Sequence, residues 1–155
     1  MSPATPATRS LDLLGIPYRL FEHVQPPASL EEAAHQRGQV PDQVVRSILF
    51  KCHGQDFFLA LMAGPGQISW RKLRKHLGVS RISMASEKEV LAVTGYAVGA
   101  VSPLGLPQPL RILADACVFR PEQISLGSGV RGVAIIMKPS DLQRALGNME
   151  IGAFA

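Results

Sequence analysis

The sequence predicts an α+β fold built on a mixed sheet or a small barrel. Three observations lead there. Helical and strand patterns follow one another irregularly, without a repeating β–α–β unit. Two neighbouring apolar runs, VVRSILFK and FFLALM, read as paired strands at the centre of a core. The stretch TGYAVGAVSPLG, Thr94 to Gly105, places three glycines and a proline among small apolar residues. That composition makes a shaped loop, because glycine permits close approaches that a β-carbon blocks. Its residue types allow two readings, a tight crossing between elements or a loop that turns backbone N–H groups toward a ligand.

Length and composition set the frame. At 155 residues the chain is predicted to be one domain, 1–155, and its 46% hydrophobic and 18% charged content suits a packed core. No apolar run has the length of a membrane span, and MSPATPATRS lacks the apolar centre of a signal peptide. No membrane partner is expected, and the cytoplasm is the expected compartment. Cys52 and Cys117 make no disulfide framework and no zinc spacing, so partly buried thiols are expected. The net charge of +4 permits a polyanionic partner.

The elements follow in order. Residues 1–8, with Pro3 and Pro6, are expected to fray. Arg9 to Leu14 forms a short helix closed by Gly15. Tyr18 to Glu22 is a strand, and His23 to Ala28 is a loop around Pro26 and Pro27. Ser29 with Glu32 makes a capping box for a helix to about Arg37. Val40 to Gln43 is a turn. Val44 to Lys51 and Phe57 to Met62 form the antiparallel hairpin. Gly64-Pro65-Gly66 breaks the chain. Ser69 caps a helix to Leu77, with Trp70, Leu73 and Leu77 on its buried face.

That helix also carries the densest basic patch, Arg71, Arg74 and Lys75 on one face with Lys72 and His76 beside them. The patch reads either as a solvated face or as a face for phosphates. Arg81 to Met84 is a strand. Ser86 and Glu89 box a helix that ends at Thr94-Gly95. After the glycine loop, Arg111 to Asp115 and Gln123 to Leu126 are strands, Gly127-Ser128-Gly129 is a turn, Arg131 to Met137 is a strand and Ser140 to Leu146 a closing helix.

No standard catalytic set appears among these elements. His23, His35, His53 and His76 are scattered, and no pair has the helical spacing of a metal motif. Ser102 is followed by Pro103, which excludes a nucleophile elbow, and Gly127 to Gly132 lacks the lysine of a phosphate-binding loop. An active site here would work through backbone donors and groups on its substrate.

The motif order resembles the YbaK family of aminoacyl-tRNA deacylases. The matching pieces are LGIPYRLFEH, ASLEEAA, PDQVVRSILFK, FFLALMAG, RKLRKHLG, TGYAVGAVSPLG, LADACVF and SLGSGVRGVAI, over about Leu11 to Leu146. The resemblance implies an α+β fold with a mixed, barrel-like sheet flanked by helices. It implies hydrolysis of the ester between a wrong amino acid and the terminal adenosine of a tRNA. The family's glycine-x-x-x-proline loop lies against that ester, and here it is Gly99, Ala100, Val101, Ser102 and Pro103. Ser128 and Gly129 are implied to bind substrate.

The implied partners are mischarged tRNA and an aminoacyl-tRNA synthetase, and no metal or cofactor is implied. The family usually has a lysine where this chain has Arg46, a polar or acidic residue where it has Ala134, and in one branch a tyrosine where it has Phe21. A guanidinium keeps the charge in a forked geometry. Ala134 and Phe21 predict a small, apolar amino-acid pocket that favours alanine over aspartate or lysine.

Two further functions are open to the same sequence. One is a non-catalytic module of this fold that binds tRNA or a synthetase. The other is a nucleic-acid binder using Arg71 to Arg81, but only 6% of residues are aromatic, so no stacking platform and no DNA partner are expected. Arg46 itself, among Val44, Ile48 and Phe50, must grip an anion or form a structural ion pair.

Overall fold

A computed structural model describes residues 4–155. The first helix, α1 (Pro6–Leu14), begins earlier than the sequence suggests. Thr5 caps it, accepting from the Thr8 N–H while Thr8 Oγ1 accepts from the Thr5 N–H at 2.9 Å. Ala7 and Thr8 are buried, so residues 5–8 are packed rather than frayed. The remainder of the expected frayed segment, residues 1–3, lies outside the described residues.

The chain continues through β1 (Arg19–Glu22), α2 (Leu30–Gln36), a single 3-10 turn (Pro41–Gln43), β2 (Val45–Lys51) and β3 (Phe57–Ala63). Next come α3 (Trp70–Leu77), β4 (Ser83–Met84), α4 (Glu87–Thr94) and β5 (Arg111–Asp115). A second 3-10 turn (Ala116–Phe119) leads to β6 (Ile124–Gly127), β7 (Val133–Met137), α5 (Pro139–Leu146) and β8 (Glu150–Gly152). Gly127 belongs to a strand rather than to the expected turn, and β7 starts two residues late because Gly132 has φ +81°. No helix of the described residues is long and apolar enough to cross a membrane.

The strands make two sheets. Five strands lie in the order β4-β2-β3-β5-β8, antiparallel at β2 and parallel from β3 to β8. Three antiparallel strands lie in the order β1-β7-β6. A single parallel bridge, Val44 to Ser125, joins the sheets. The far end of the same β2 edge is taken by β4, where Phe50 pairs with Met84. The fold is therefore mixed α+β, and no closed barrel forms among the described residues.

One face of each sheet is turned to the other. Leu49, Leu59, Leu61, Ile112 and Ala114 pack with Leu126, Ile135 and Leu142 in the main core. The opposite, outer face of the larger sheet carries a second cluster of Phe50, Phe58, Ala60, Leu73, Leu113 and Phe154. Helix α3 covers that cluster. Leu73 is fully buried, while Trp70 meets Phe50 edge-on and stays 38% exposed.

Candidate functional site

The glycine loop is held at both ends and pressed onto a strand. Helix α4 stops at Gly95, which is left-handed. Tyr96 is buried and donates from its hydroxyl to the Leu104 carbonyl at 2.6 Å, and burial pushes its pKa to about 12. The Ser102 hydroxyl accepts from the Leu104 N–H at 3.3 Å. In the middle, Gly129 donates its N–H to the Ala100 carbonyl at 2.9 Å. Gly127 lies directly beneath, where a β-carbon would overlap the Val101 carbonyl. Gly99 has φ +94°, a torsion that only glycine adopts easily.

Residues 97–99 of this loop are exposed, whereas Ala100, Ser102, Pro103 and Leu104 are buried. Among the described residues, the N–H groups of Gly99, Val101 and Ser102 donate to no protein acceptor. The exposed Arg131 reaches over from the turn, its Nη2 donating to the Val98 carbonyl at 2.9 Å.

Register brings the other expected residues to the same side. Phe21 pairs with Ala134, and Ala134 pairs with Gly127, so the three form one row across β1, β7 and β6. Leu20, Leu126 and Ile135 point inward to the core, so the row faces outward. The Val44–Ser125 bridge is parallel, which sets Arg46 and Gly127 two residues along their strands from one contact. Arg46 therefore stands beside the strand on which the loop rests.

Arg46 has no carboxylate partner. It takes part in none of the ion pairs among the described residues, so the ion-pair alternative is not what this structure contains. Its Nη2 donates to the Gly66 carbonyl, and its Nε is buried without a hydrogen-bond partner. Desolvation lowers the guanidinium pKa, and the nearby Cys117 raises it. Arg46 is thus a half-buried cation with one buried donor left without a protein acceptor.

Ser128 and Gly129 serve the turn. The Ser128 hydroxyl, buried, donates to the Val133 carbonyl at 2.7 Å and accepts from the Val130 N–H. The hydroxyl is thereby committed within the turn. Gly129 lies against the Tyr96 ring and spends its N–H on Ala100. On α3, Arg71 and Lys75 are exposed and Arg74 is half-buried, and none of the three joins an ion pair among the described residues. By contrast, Lys72 reaches the Ala155 carbonyl and His76 reaches Glu150.

The structure adds a polar group that the sequence does not disclose. Arg37, just after α2, donates from Nε to His23 Nε2 at 3.0 Å and from Nη1 to Ser125 Oγ at 2.8 Å. Because His23 accepts at Nε2, its proton sits on Nδ1 and is donated to Gln36 Oε1 at 2.6 Å. Ser125 in turn donates to Gln39 Oε1 at 2.6 Å. These residues are too far apart in sequence for any spacing rule to join them. Gly127 reads from sequence as a turn residue, and its place opposite Ala134 emerges only from strand pairing.

A groove of about 380 Å³ runs between Pro103–Leu110 and the end of α5, but no titratable side chain lines it. No three His, Cys, Asp or Glu side chains among the described residues converge as a metal-ligand set.

The family model described as an aminoacyl-tRNA editing domain matches residues 25–145. The chain is 30% identical over 115 residues to the uncharacterized protein YwhH of Bacillus subtilis, covering 74% of this chain and 73% of that protein. It is 28% identical over 134 residues to the multifunctional Ser/Thr-tRNA deacylase ProXp-y of Escherichia coli, covering 84% and 80%. A crystal structure named as a candidate trans-editing enzyme for prolyl tRNA synthetase superposes with a TM-score of 0.87 at 24% identity, covering 99% and 98%. The chain belongs to the aminoacyl-tRNA editing domain family.

Proposed function

We propose that this chain hydrolyses the ester of a mischarged tRNA, acting in trans on tRNA released by a synthetase. The observation that carries the reading is the loop backbone from Gly99 to Ser102, fixed over Gly127, with the N–H groups of the exposed Gly99 and the half-buried Val101 unspent. Ester hydrolysis builds negative charge on the carbonyl oxygen. Preorganised donors meet that charge, each worth roughly a hundredfold in rate. The ester is already activated, so a protein nucleophile is less needed. Arg46 would grip a phosphate or ribose oxygen at the tRNA end, and Arg71, Arg74 and Lys75 would attract the phosphate backbone. The Escherichia coli relative, named a Ser/Thr-tRNA deacylase, supports the reaction class. A second hydrolytic site is useful to a synthetase, whose pocket separates substrates one methylene apart by only about 1–3 kcal/mol.

Binding without hydrolysis is the second reading. It is favoured by one feature: no residue from Val98 to Gly105 has a titratable side chain. A panel of mischarged tRNAs separates the two. Hydrolysis predicts free amino acid appearing with turnover. Intact aminoacyl-tRNA in a stable complex would leave only the binding module, and no association with any tRNA would remove both.

A further inference from the structure

The wall that the sequence expects to be apolar holds a cation. His23 lies beyond Phe21 on β1's outward side, the two rings meeting edge-on at 5.0 Å. Ser125 shares the outward side of β6 with Gly127. Between His23 and Ser125 on that face stands Ala134, paired with both Phe21 and Gly127. A guanidinium bonded to His23 and to Ser125 must therefore cross Ala134, and Ala134 is only 1% exposed. A methyl group leaves room there that a longer side chain would fill.

The donors of this wall outnumber its acceptors. Arg37 joins none of the ion pairs among the described residues, and its Nη2 donates to no protein acceptor there. Gln39 is 9% exposed, and its Nε2 is buried without a partner while its Oε1 accepts from Ser125. The four acceptors within the group, Ser125 Oγ, His23 Nε2, Gln36 Oε1 and Gln39 Oε1, each already accept a hydrogen bond. Arg46 Nε, on the other side of Gly127, is likewise unspent. Burial lowers the Arg37 pKa, in keeping with a cation that lacks a counter-charge. What completes such a wall is an oxygen acceptor, most strongly an anionic one.

We infer that Arg37 is a specificity-determining residue, selecting aminoacyl groups whose side chains end in a carboxylate or hydroxyl oxygen over those of the same size without one. The inference rests on the editing reading above, and it replaces the alanine preference that Ala134 and Phe21 suggest from sequence alone. A guanidinium–oxygen contact of this type discriminates by roughly ten- to hundredfold.

The test charges one tRNA with aspartate, asparagine, serine or alanine by an acylating ribozyme and compares kcat/KM for the four. The wild-type protein is expected to prefer aspartate to asparagine and serine to alanine, each by tenfold or more. Arg37→Met should bring both ratios close to one while alanine is still released. Arg37→Lys should keep the preference for aspartate. Wild-type preference for alanine, or a folded Arg37→Met protein with unchanged ratios, would overturn the inference and leave Arg37 as a brace between α2 and the sheet. An equal loss for all four amino acids would place Arg37 on the tRNA, also against it. Should Arg37→Met not fold, Arg37→Gln, which keeps a donor without the charge, is expected to lose the aspartate ratio and part of the serine ratio. No release from any of the four would contradict the editing reading itself, and the inference with it.

Discussion

Arg46 shows how much one residue can decide. Its neighbours on the same strand face, Val44 and Ile48, are apolar, and its guanidinium has one protein acceptor, the Gly66 carbonyl. A structural ion pair would have coupled its removal to stability. Instead, Arg46→Ala is expected to leave the melting temperature within a few degrees while deacylation falls tenfold or more. Arg46→Lys should keep a measurable part, since the charge remains and the fork is lost. A thermal melt and a deacylation rate on the same preparation check both halves.

Glu150 is the second informative residue. Its carboxylate accepts from Arg111 Nη2 at 2.8 Å and from His76 Nε2 at 2.9 Å, and these contacts hold its pKa down to about 2, Arg111 contributing most. A depressed folded-state value means stability that is present above the ordinary glutamate value, about 4.3, and lost as pH falls toward 2. Both partners are partly exposed, so the effect is modest. Glu150→Gln should flatten the decline of melting temperature with acid, and an acid limb identical to that of the wild type would show the cluster to be inert.

At the scale of elements, helix α3 is anchored by one face and presents basic residues on another. Leu73 anchors it, and Ser69 caps it by accepting from the Lys72 N–H. Arg71 and Lys75 lie exposed outside that packing, and Arg74 is half-buried. Reversing Arg71, Arg74 and Lys75 to glutamate should raise KM several-fold and flatten its salt dependence, with kcat nearly unchanged. A salt slope equal to that of the wild type would take α3 out of the interface.

The same scale shows what was legible in the sequence. The caps at Ser29, Ser69 and Ser86 and the stops at Gly15, Gly78 and Gly95 are local chemistry, and the helices begin and end where those residues direct. The hairpin of β2 and β3 follows from its own apolar run. Strand β8 was not legible. Its three residues, Glu150–Gly152, hold as a strand only because β5 offers a parallel edge. The first turn of α1 is not legible in the sequence for a related reason. Pro3 and Pro6 suggest fraying, yet the Thr5 hydroxyl donates to the Ser128 carbonyl at 2.6 Å, across 123 positions of sequence. The loop Gly99 to Pro103 was legible as a motif, whereas the Arg37 group was not, because tertiary packing alone assembles it.

In the whole molecule, the candidate site lies where two sheets meet at one bridge. Gly127, Ala134 and Phe21 belong to the small sheet, and Arg46 belongs to the large one. The glycine loop rests on the former beside the latter. On the proposed function, hydrolysis would depend on this contact rather than on a reactive side chain. Gly127→Ala would push the Val101 carbonyl away and shift the donors above it. Gly99→Val would strain a backbone at φ +94° and cover the loop's exposed end. The most direct measurement is the single-turnover release of amino acid from a mischarged tRNA, by the wild-type protein and by folded Gly127→Ala and Gly99→Val variants. The wild type should release the amino acid well above the spontaneous rate, and both variants should lose a hundredfold or more. Wild-type release no faster than in buffer, or variants as fast as the wild type, would contradict the claim that this loop's backbone performs the hydrolysis.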